Sequence, residues 1–138
     1  MININDIYRP HVATEDELFN IAKKAIPSLI RTTDRFSPVD AISHEKNLAI
    51  EFKSKNEHYD TMMILEDKYE ALQVYQNNRY ICATPEGIFS FNFKKITKPE
   101  FNIEKHKCTT NSEIGYMEWC QKSVAYLAIS ASTRITIN

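Results

Sequence analysis

Residues 37–53 read SPVDAISHEKNLAIEFK, and this stretch contains the pattern that decides the fold. From Leu48 to Lys53, large apolar residues alternate with smaller or charged ones, which is the two-residue period of a β-strand. A short apolar segment, residues 39–43, comes before this strand, and polar residues 44–47 separate the two. The pattern therefore predicts two strands paired as a hairpin.

The length of the hairpin turn decides whether three charged side chains meet. Because side chains alternate along a strand, Glu51 and Lys53 lie on the same face. If His44–Asn47 form a four-residue turn, Asp40 pairs with Glu51 on that face. A five-residue turn would send the Asp40 side chain to the other face, because a one-residue slip reverses every side chain.

Two carboxylates and an ammonium group in one place suit the hydrolysis of a phosphodiester. Mg²⁺ prefers hard oxygen ligands, typically one or two carboxylates together with waters and substrate phosphate. Asp40 and Glu51 would supply the carboxylates, and the backbone carbonyl of Phe52 would supply a third oxygen. Lys53 would orient the attacking water or stabilise developing charge. The alternative is an ordinary surface ion pair on a hairpin.

The composition is that of an ordinary globular protein. The chain has 138 residues, 43% of them hydrophobic and 25% charged, which predicts one domain spanning residues 1–138. It has only two glycines, so no Gly-rich phosphate-binding loop is present. Neither a membrane span nor a signal peptide is apparent, and we expect a cytoplasmic protein. The net charge of −1 argues against strong binding of nucleic acid, although it leaves room for a local basic face.

Cysteine and aromatic residues carry no evident chemistry of their own. The three cysteines, Cys82, Cys108 and Cys120, are widely and irregularly spaced, so we expect buried reduced thiols. The aromatic residues Phe89, Phe91, Phe93 and Trp119 are expected in the core rather than in a base-stacking platform.

The remaining periodicity predicts alternating helices and strands. Thr14-x-x-Glu17 fits a capping box that begins the first helix, and Pro27 ends or kinks that helix near Ala25. The predicted elements are a helix at 14–25, strands at 33–37, 39–43 and 48–53, a helix at 66–77, strands at 80–84 and 88–96, a helix at 112–120 and a strand at 123–129. The ending STRITIN extends the last strand or pairs at an edge. This order predicts an α/β sandwich with a mixed sheet.

The spacing of the charged residues resembles a known family. Pro38-Val39-Asp40, ten further residues and then Glu51-Phe52-Lys53 are similar to the signature of the PD-(D/E)XK nuclease superfamily. One departure is Val39, which stands between the proline and the aspartate. The resemblance implies a restriction-endonuclease-like α-βββ-α-β core, with a mixed central sheet flanked by helices, over roughly residues 14–96.

The resemblance also implies roles for individual residues. The Asp, Glu and Lys of the superfamily motif hold metal and water, and here these are Asp40, Glu51 and Lys53, with Mg²⁺ or Mn²⁺ as the cofactor. Many members add an acidic residue from the first helix, for which Glu17 is the match. Some carry a second lysine on the helix after the ExK strand, for which Lys68 is the match.

The function that this resemblance implies is a metal-dependent endonuclease in a resolvase-like or repair-like role. Its partner would be nucleic acid, DNA rather than RNA, with no membrane contact, and a homodimer would suit so small a domain. A bacterial or phage source would fit, the latter acting in the host cytoplasm. Two alternatives stay open. One is a catalytically inactive nuclease-fold module that binds nucleic acid or a protein, and the other is an assembly subunit whose strand 123–129 pairs with a copy of itself.

Overall fold

The computed structural model of the chain describes residues 11–33, 37–111 and 116–137. Within these ranges the helices are α1 (Glu15–Ala25) and α2 (Glu66–Gln73), with a 3-10 turn at Ile129–Ala131. The strands are β1 (Ile30–Arg31), β2 (Ala41–Ser43), β3 (Leu48–Ser54), β4 (Thr61–Leu65), β5 (Asn77–Thr84), β6 (Gly87–Phe91), β7 (Asn102–Asn111), β8 (Tyr116–Ala128) and β9 (Thr133–Ile135). No helix in these ranges is long and apolar enough to cross a membrane.

The strands form two sheets. The larger sheet has the order β1-β2-β3-β5-β6-β9, in which β3 and β5 run parallel and the other neighbours are antiparallel. The smaller sheet has the antiparallel order β4-β8-β7. The chain reaches β5 from β3 by way of β4 and α2, and this is the long crossover that a parallel pair requires. The expected mixed α/β architecture is therefore confirmed.

Each face of the larger sheet packs on a different layer. Helix α1 covers one face, in a buried layer that includes Leu18, Leu29, Ile50, Phe52 and Ile81. The smaller sheet and α2 cover the other face, in a layer that includes Ala49, Met62, Ile64, Leu72, Tyr80 and Phe91. Because side chains of β3 alternate between the two layers, Glu51 and Lys53 point toward the smaller sheet.

The turn between β2 and β3 has the four-residue length on which the site depends. Ser43 pairs with Leu48 across it, so residues 44–47 form the turn. Asn47 closes the turn at a φ of 45°, a left-handed conformation that Asn adopts more readily than most residues. The outermost pair of the regular β2–β3 ladder is Ala41 with Ile50. Asp40 lies just beyond this pair, and its N–H donates to the Ile50 carbonyl at 3.1 Å.

The C-terminal third differs from the prediction. The expected helix at 112–120 falls partly on residues 112–115, which lie outside the described ranges, and from Tyr116 onward the chain is in β8. The segment expected as a loop before it contains β7. These two strands pair along most of their length, and that pairing overrides the weak local periodicity. Strand 123–129 lies mainly within β8, where residues 124–128 pair with β4 and only residues 123 and 124 pair with β7.

Smaller differences lie at the ends of elements. The structure has a short strand at Ile30–Arg31, and the strand expected at 33–37 falls mainly on residues 34–36, which lie outside the described ranges. Helix α2 stops at Gln73 rather than at 77, because Asn78 is buried and its amide bonds the Leu72 and Phe93 backbones at 3.1 and 2.9 Å. The β5–β6 hairpin is confirmed, although β6 ends at Phe91. The expected pairing of the chain ending at an edge is also confirmed, since β9 lies beside β6.

The cysteines behave in two different ways. Cys82 is buried and free, as expected. Cys108 and Cys120 are instead joined as a disulfide, with their Cα atoms 5.9 Å apart. Cys120 pairs with His106 across the β7–β8 ladder, so it is a diagonal neighbour of Cys108 on the same face. The expectation of reduced thiols was wrong for this pair because it did not include the strand pairing.

Candidate active site

A cleft of about 220 Å³ separates β3 of the larger sheet from β4 and α2. Residues 63–65 of β4 and Tyr80 of β5 form its apolar walls. The charged residues that line it are Glu15, Asp40, Glu51, Lys53, Lys68 and Lys122. Three carboxylates and three ammonium groups thus face one small volume, contributed by both sheets and both helices.

Glu51 is the most deeply placed of these groups. It lies on β3, in the interior of the larger sheet, and is only 7% exposed. Its Oε2 atom lies 3.0 Å from the Nζ of Lys68. Its Oε1 atom is buried and has no hydrogen-bond partner among the described residues. A buried carboxylate oxygen without a partner is costly and calls for an explanation such as an absent ion.

The protonation of Glu51 reflects this burial. Desolvation and the neighbouring carboxylate of Asp40 raise the pKa of Glu51 to about 8, although Lys68 acts in the opposite direction. Without a further cation, the Glu51 carboxyl therefore holds a proton at neutral pH. Strongly raised carboxyl pKa values occur most often at functional sites.

The Asp40 carboxylate is held next to β3, the strand that carries Glu51, by a hydrogen bond to the β3 backbone. Its Oδ2 atom accepts a hydrogen bond from the Phe52 N–H at 2.8 Å, where the regular β2–β3 ladder has ended. The N–H and C=O of one strand residue point to the same side, so the Phe52 carbonyl is directed toward the same edge. The Phe52 side chain packs in the opposite layer, beneath α1. Asp40, Glu51 and Phe52, the three residues expected to supply the oxygen ligands, all line the same cleft.

Two lysines approach these carboxylates from different directions. Lys53 follows Glu51 by two residues on the same face and lines the cleft, and it has no ion-pair partner within the described part of the chain. The Nζ of Lys68 reaches in from the first turn of α2 and also donates to the Pro38 carbonyl at 3.1 Å. Lys68 therefore connects α2 to both the segment before β2 and the central carboxylate.

The donor set fits a hard divalent cation. No group of three or more His, Cys, Asp or Glu side chains that could hold a metal ion is found in the described ranges. Mg²⁺ and Mn²⁺ accept fewer protein ligands and retain waters, and they prefer carboxylate and carbonyl oxygens. Asp40, Glu51 with its partnerless Oε1, and the Phe52 carbonyl meet that requirement.

The structure does not bring Glu17 into this group. Its carboxylate completes the capping box with Thr14 and lies 2.9 Å from the His11 ring, whose hydrogen bond lowers the pKa of Glu17. The acidic residue of α1 that lines the cleft is Glu15. Positions two residues apart on a helix differ by a rotation of about 200° around its axis, so the side chains of Glu15 and Glu17 point to different surroundings. The capping box was itself the signal that Glu17 already has a structural role.

Two further residues differ from what the sequence analysis considered, since Lys122 was not among the candidate residues and Trp119 was expected in the core. Lys122 lines the cleft from β8, next to the segment that was predicted to be helical. Trp119, expected in the core, is 67% exposed, and the Lys107 ammonium lies 5.7 Å from its ring centroid. The expected burial of the three phenylalanines at 89, 91 and 93 is confirmed.

Comparison with known proteins agrees with this architecture. No family model matches the sequence, and no curated protein matches it significantly. Among solved structures, the chain is similar to Hjc of Archaeoglobus fulgidus, a Holliday junction resolvase from an archaeal hyperthermophile. The TM-score is 0.52 at 16% sequence identity, and the match covers 88% of this chain and 95% of that one. At such low identity the similarity concerns the fold alone, and the chain therefore has a mixed α/β fold that resembles the resolvase nuclease fold.

Proposed function

We propose that this chain is a divalent-metal-dependent nuclease that hydrolyses phosphodiester bonds of nucleic acid. The observation that carries the proposal is the buried, partnerless Oε1 of Glu51 beside the Asp40 carboxylate. Two carboxylates this close repel each other when both are ionised, and a cation bound between them would remove that repulsion. The likeness to a junction resolvase supports this choice among the possible metal-dependent reactions.

The side chains of the cleft have separate roles in this proposal. Bound Mg²⁺ or Mn²⁺ would neutralise phosphate charge and lower the pKa of the attacking water. Asp40, Glu51 and the Phe52 carbonyl would hold the ion. Lys53 would orient the attacking water or stabilise the charge that develops on the phosphate oxygens. Lys68 would favour the ionised form of Glu51 that the ion requires, because a nearby ammonium stabilises the charged form of a carboxyl.

DNA is the proposed substrate, and a four-way junction is the first form to examine. The similar protein Hjc is a Holliday junction resolvase, which makes a branched DNA a natural probe. A homodimer belongs to the same proposal, because a two-fold dimer would match the two-fold symmetry of a junction. The proposed chemistry of the cleft depends neither on the substrate being a four-way junction nor on the protein being a dimer.

A cleavage assay with matched variants tests the nuclease. Labelled junction, duplex and single-stranded DNA are incubated with the purified protein and Mg²⁺, Mn²⁺ or a chelator. Cleavage should require the metal and should fall by at least about 100-fold in Asp40→Ala and in Lys53→Ala. Glu45→Ala in the exposed turn and Lys24→Ala on the exposed side of α1 serve as controls and should cleave normally. Equal cleavage by wild type and Asp40→Ala would refute the proposal.

A folded protein that neither binds Mn²⁺ nor cleaves any of these substrates would favour the alternative, an inactive module on the same fold. The pairing of Lys68 with Glu51 is the observation that keeps this alternative open, because an ammonium already occupies one carboxylate oxygen. Calorimetric titration with Mn²⁺ distinguishes the two, since only the nuclease requires the ion to bind in the cleft.

A further inference from the structure

A second cavity, which we call the tyrosine cavity, lies next to the cleft. Its volume is about 440 Å³, roughly twice that of the cleft, and its lining includes Lys55, Glu57, Tyr59, Met63, His106 and Tyr126. Met63 of β4 borders both cavities. A chain of nucleotides that crosses the cleft would therefore meet the tyrosine cavity directly beside it.

Two exposed aromatic rings give the tyrosine cavity its character. Tyr59 is 61% exposed and Tyr126 is 50% exposed, and Tyr126 lies directly opposite Met63 in the β4–β8 ladder. The Tyr126 hydroxyl donates to Glu104 at 2.7 Å, and the Tyr59 hydroxyl donates to Glu57. Because both polar ends are engaged, the rings are held in place while much of their apolar surface remains accessible.

The charges around the tyrosine cavity favour a base over a phosphate. The carboxylates of Glu57 and Glu104 lie beside the two rings and would repel a phosphate group. They are also acceptors for the exocyclic amino groups of bases. Lys55, in contrast, offers an ammonium group to the nucleic-acid backbone at the border of the cavity.

The end of β3 connects the two sites. Lys53 on β3 lines the cleft, and Lys55, which comes directly after β3 ends at Ser54, lines the tyrosine cavity. The Lys55 N–H donates to the Ala83 carbonyl at 2.9 Å, so the chain stays alongside β5 at this point. Residues two apart in an extended strand are separated by about 7 Å, which is comparable to one nucleotide of an extended single strand. Neighbouring phosphates of one strand could thus meet the two lysines in turn.

We propose that the tyrosine cavity binds one unpaired nucleobase of the substrate strand, stacked on Tyr126 or Tyr59, close to the phosphate in the cleft. This inference rests on the proposed nuclease function and specifies its substrate as a nucleic acid with an unpaired nucleotide beside the cut. A base within an intact duplex is stacked on both sides and would have to leave the helix to enter the cavity. Single-stranded, flapped or branched nucleic acid meets this requirement at lower cost.

Binding measured without metal tests the inference separately from cleavage. Fluorescence anisotropy in chelator compares a labelled single-stranded oligonucleotide with a blunt duplex of the same length. The wild type should prefer the single strand, and Tyr126→Ala and Tyr59→Ala should each weaken that binding by about 5- to 100-fold. Tyr126→Phe and Tyr59→Phe retain the ring and should bind close to wild type. Trp119→Ala removes an exposed ring from the other face of the β7–β8 ribbon and should have little effect.

An abasic scan of the oligonucleotide tests the same inference by changing the nucleic acid. Removing one base at the position held by the tyrosine cavity should weaken binding to the wild type, and should cause no further loss in Tyr126→Ala. The inference would be overturned if no abasic position weakened binding or if the wild type preferred the duplex. It would also be overturned if Trp119→Ala and Tyr126→Ala lost equal affinity. Absence of cleavage with this binding pattern intact would refute only the proposed nuclease function.

Discussion

Glu51 has the most unusual environment of any charged residue in the cleft. Its position in the interior of the larger sheet removes it from water, and its nearest acidic neighbour, Asp40, adds repulsion. Lys68 compensates on one oxygen only. The resulting pKa of about 8 means that protons and metal ions compete for the same carboxylate near neutral pH.

Metal binding should therefore depend on pH in a defined way. From pH 6 to 8 the affinity for Mn²⁺ should rise by up to about tenfold per pH unit, because binding displaces one proton from Glu51, and it should level off above pH 8. Calorimetry in two buffers with different ionisation enthalpies measures the released proton. Glu45→Gln serves as the exposed control, and an affinity that stays constant from pH 6 to 9 would contradict this prediction.

The same pKa makes the metal-free protein less stable at high pH. The folded pKa of Glu51, about 8, lies above the ordinary value of 4.5, so between these values the folded state binds more protons than the unfolded state. The free energy of unfolding contributed by this group is fully present below pH 4.5 and is lost as the pH rises through 8. Glu51→Gln should remove this dependence and be more stable than wild type at pH 9 by up to about 5 kcal/mol.

Urea unfolding of wild type and Glu51→Gln in chelator at pH 5, 7 and 9 measures the difference. Stability curves that run parallel for the two proteins would show that Glu51 titrates alike in the folded and unfolded states.

At the scale of elements, the β2–β3 turn fixes the register on which Asp40 depends. Asn47 adopts a φ of 45°, and its side-chain oxygen accepts from the Gln76 N–H at 3.3 Å. Asn47→Ala and Asn47→Gly both lose this hydrogen bond, so a comparison of the two isolates the cost of the backbone conformation. Asn47→Ala should be the less stable variant by about 1 kcal/mol in denaturant unfolding, because only glycine adopts this conformation without strain. Equal stability of the two variants would contradict this reading of the turn.

Local patterns explain why the β2–β3 and β5–β6 hairpins could be predicted. Alternation within a strand and the chemistry of a short turn lie within a few neighbouring residues, and they placed Asp40, Glu51 and Lys53 correctly relative to one another. The position of Lys68 near Glu51 followed from the resemblance to a family and agrees with the observed ion pair.

The features that were missed depend on contacts between distant segments. The β7–β8 ribbon and the Cys108–Cys120 disulfide arise from strand pairing that no local period reveals. The choice of Glu15 over Glu17 depends on how α1 is rotated on the sheet, and only the packing of its apolar side fixes that rotation.

At the scale of the whole molecule, the cleft exists because two sheets and α2 pack together. Asp40, Glu51 and Lys53 belong to the larger sheet and its edge, whereas Lys68 and Lys122 come from α2 and the smaller sheet. A cation bound between the carboxylates would therefore stabilise the folded arrangement and not the unfolded chain.

This linkage predicts a metal-dependent shift in thermal stability. Mn²⁺ at about 100 times its dissociation constant should add about 2.7 kcal/mol to the free energy of unfolding of the wild type, seen as a rise in Tm. Asp40→Asn keeps the shape of the side chain, removes one charged ligand and should lose most of that rise. Glu45→Gln is the matched control and should respond like wild type. A rise of equal size in Asp40→Asn would place the stabilising ion elsewhere.

The most direct measurement of the proposed metal site is a crystal structure of the protein with Mn²⁺ at a pH above 8, with anomalous diffraction data. The ion should give an anomalous peak between the carboxylates of Asp40 and Glu51, within reach of the Phe52 carbonyl. Well-ordered crystals that show no peak at this position, or a peak only elsewhere, would contradict the assignment of these residues as a metal site.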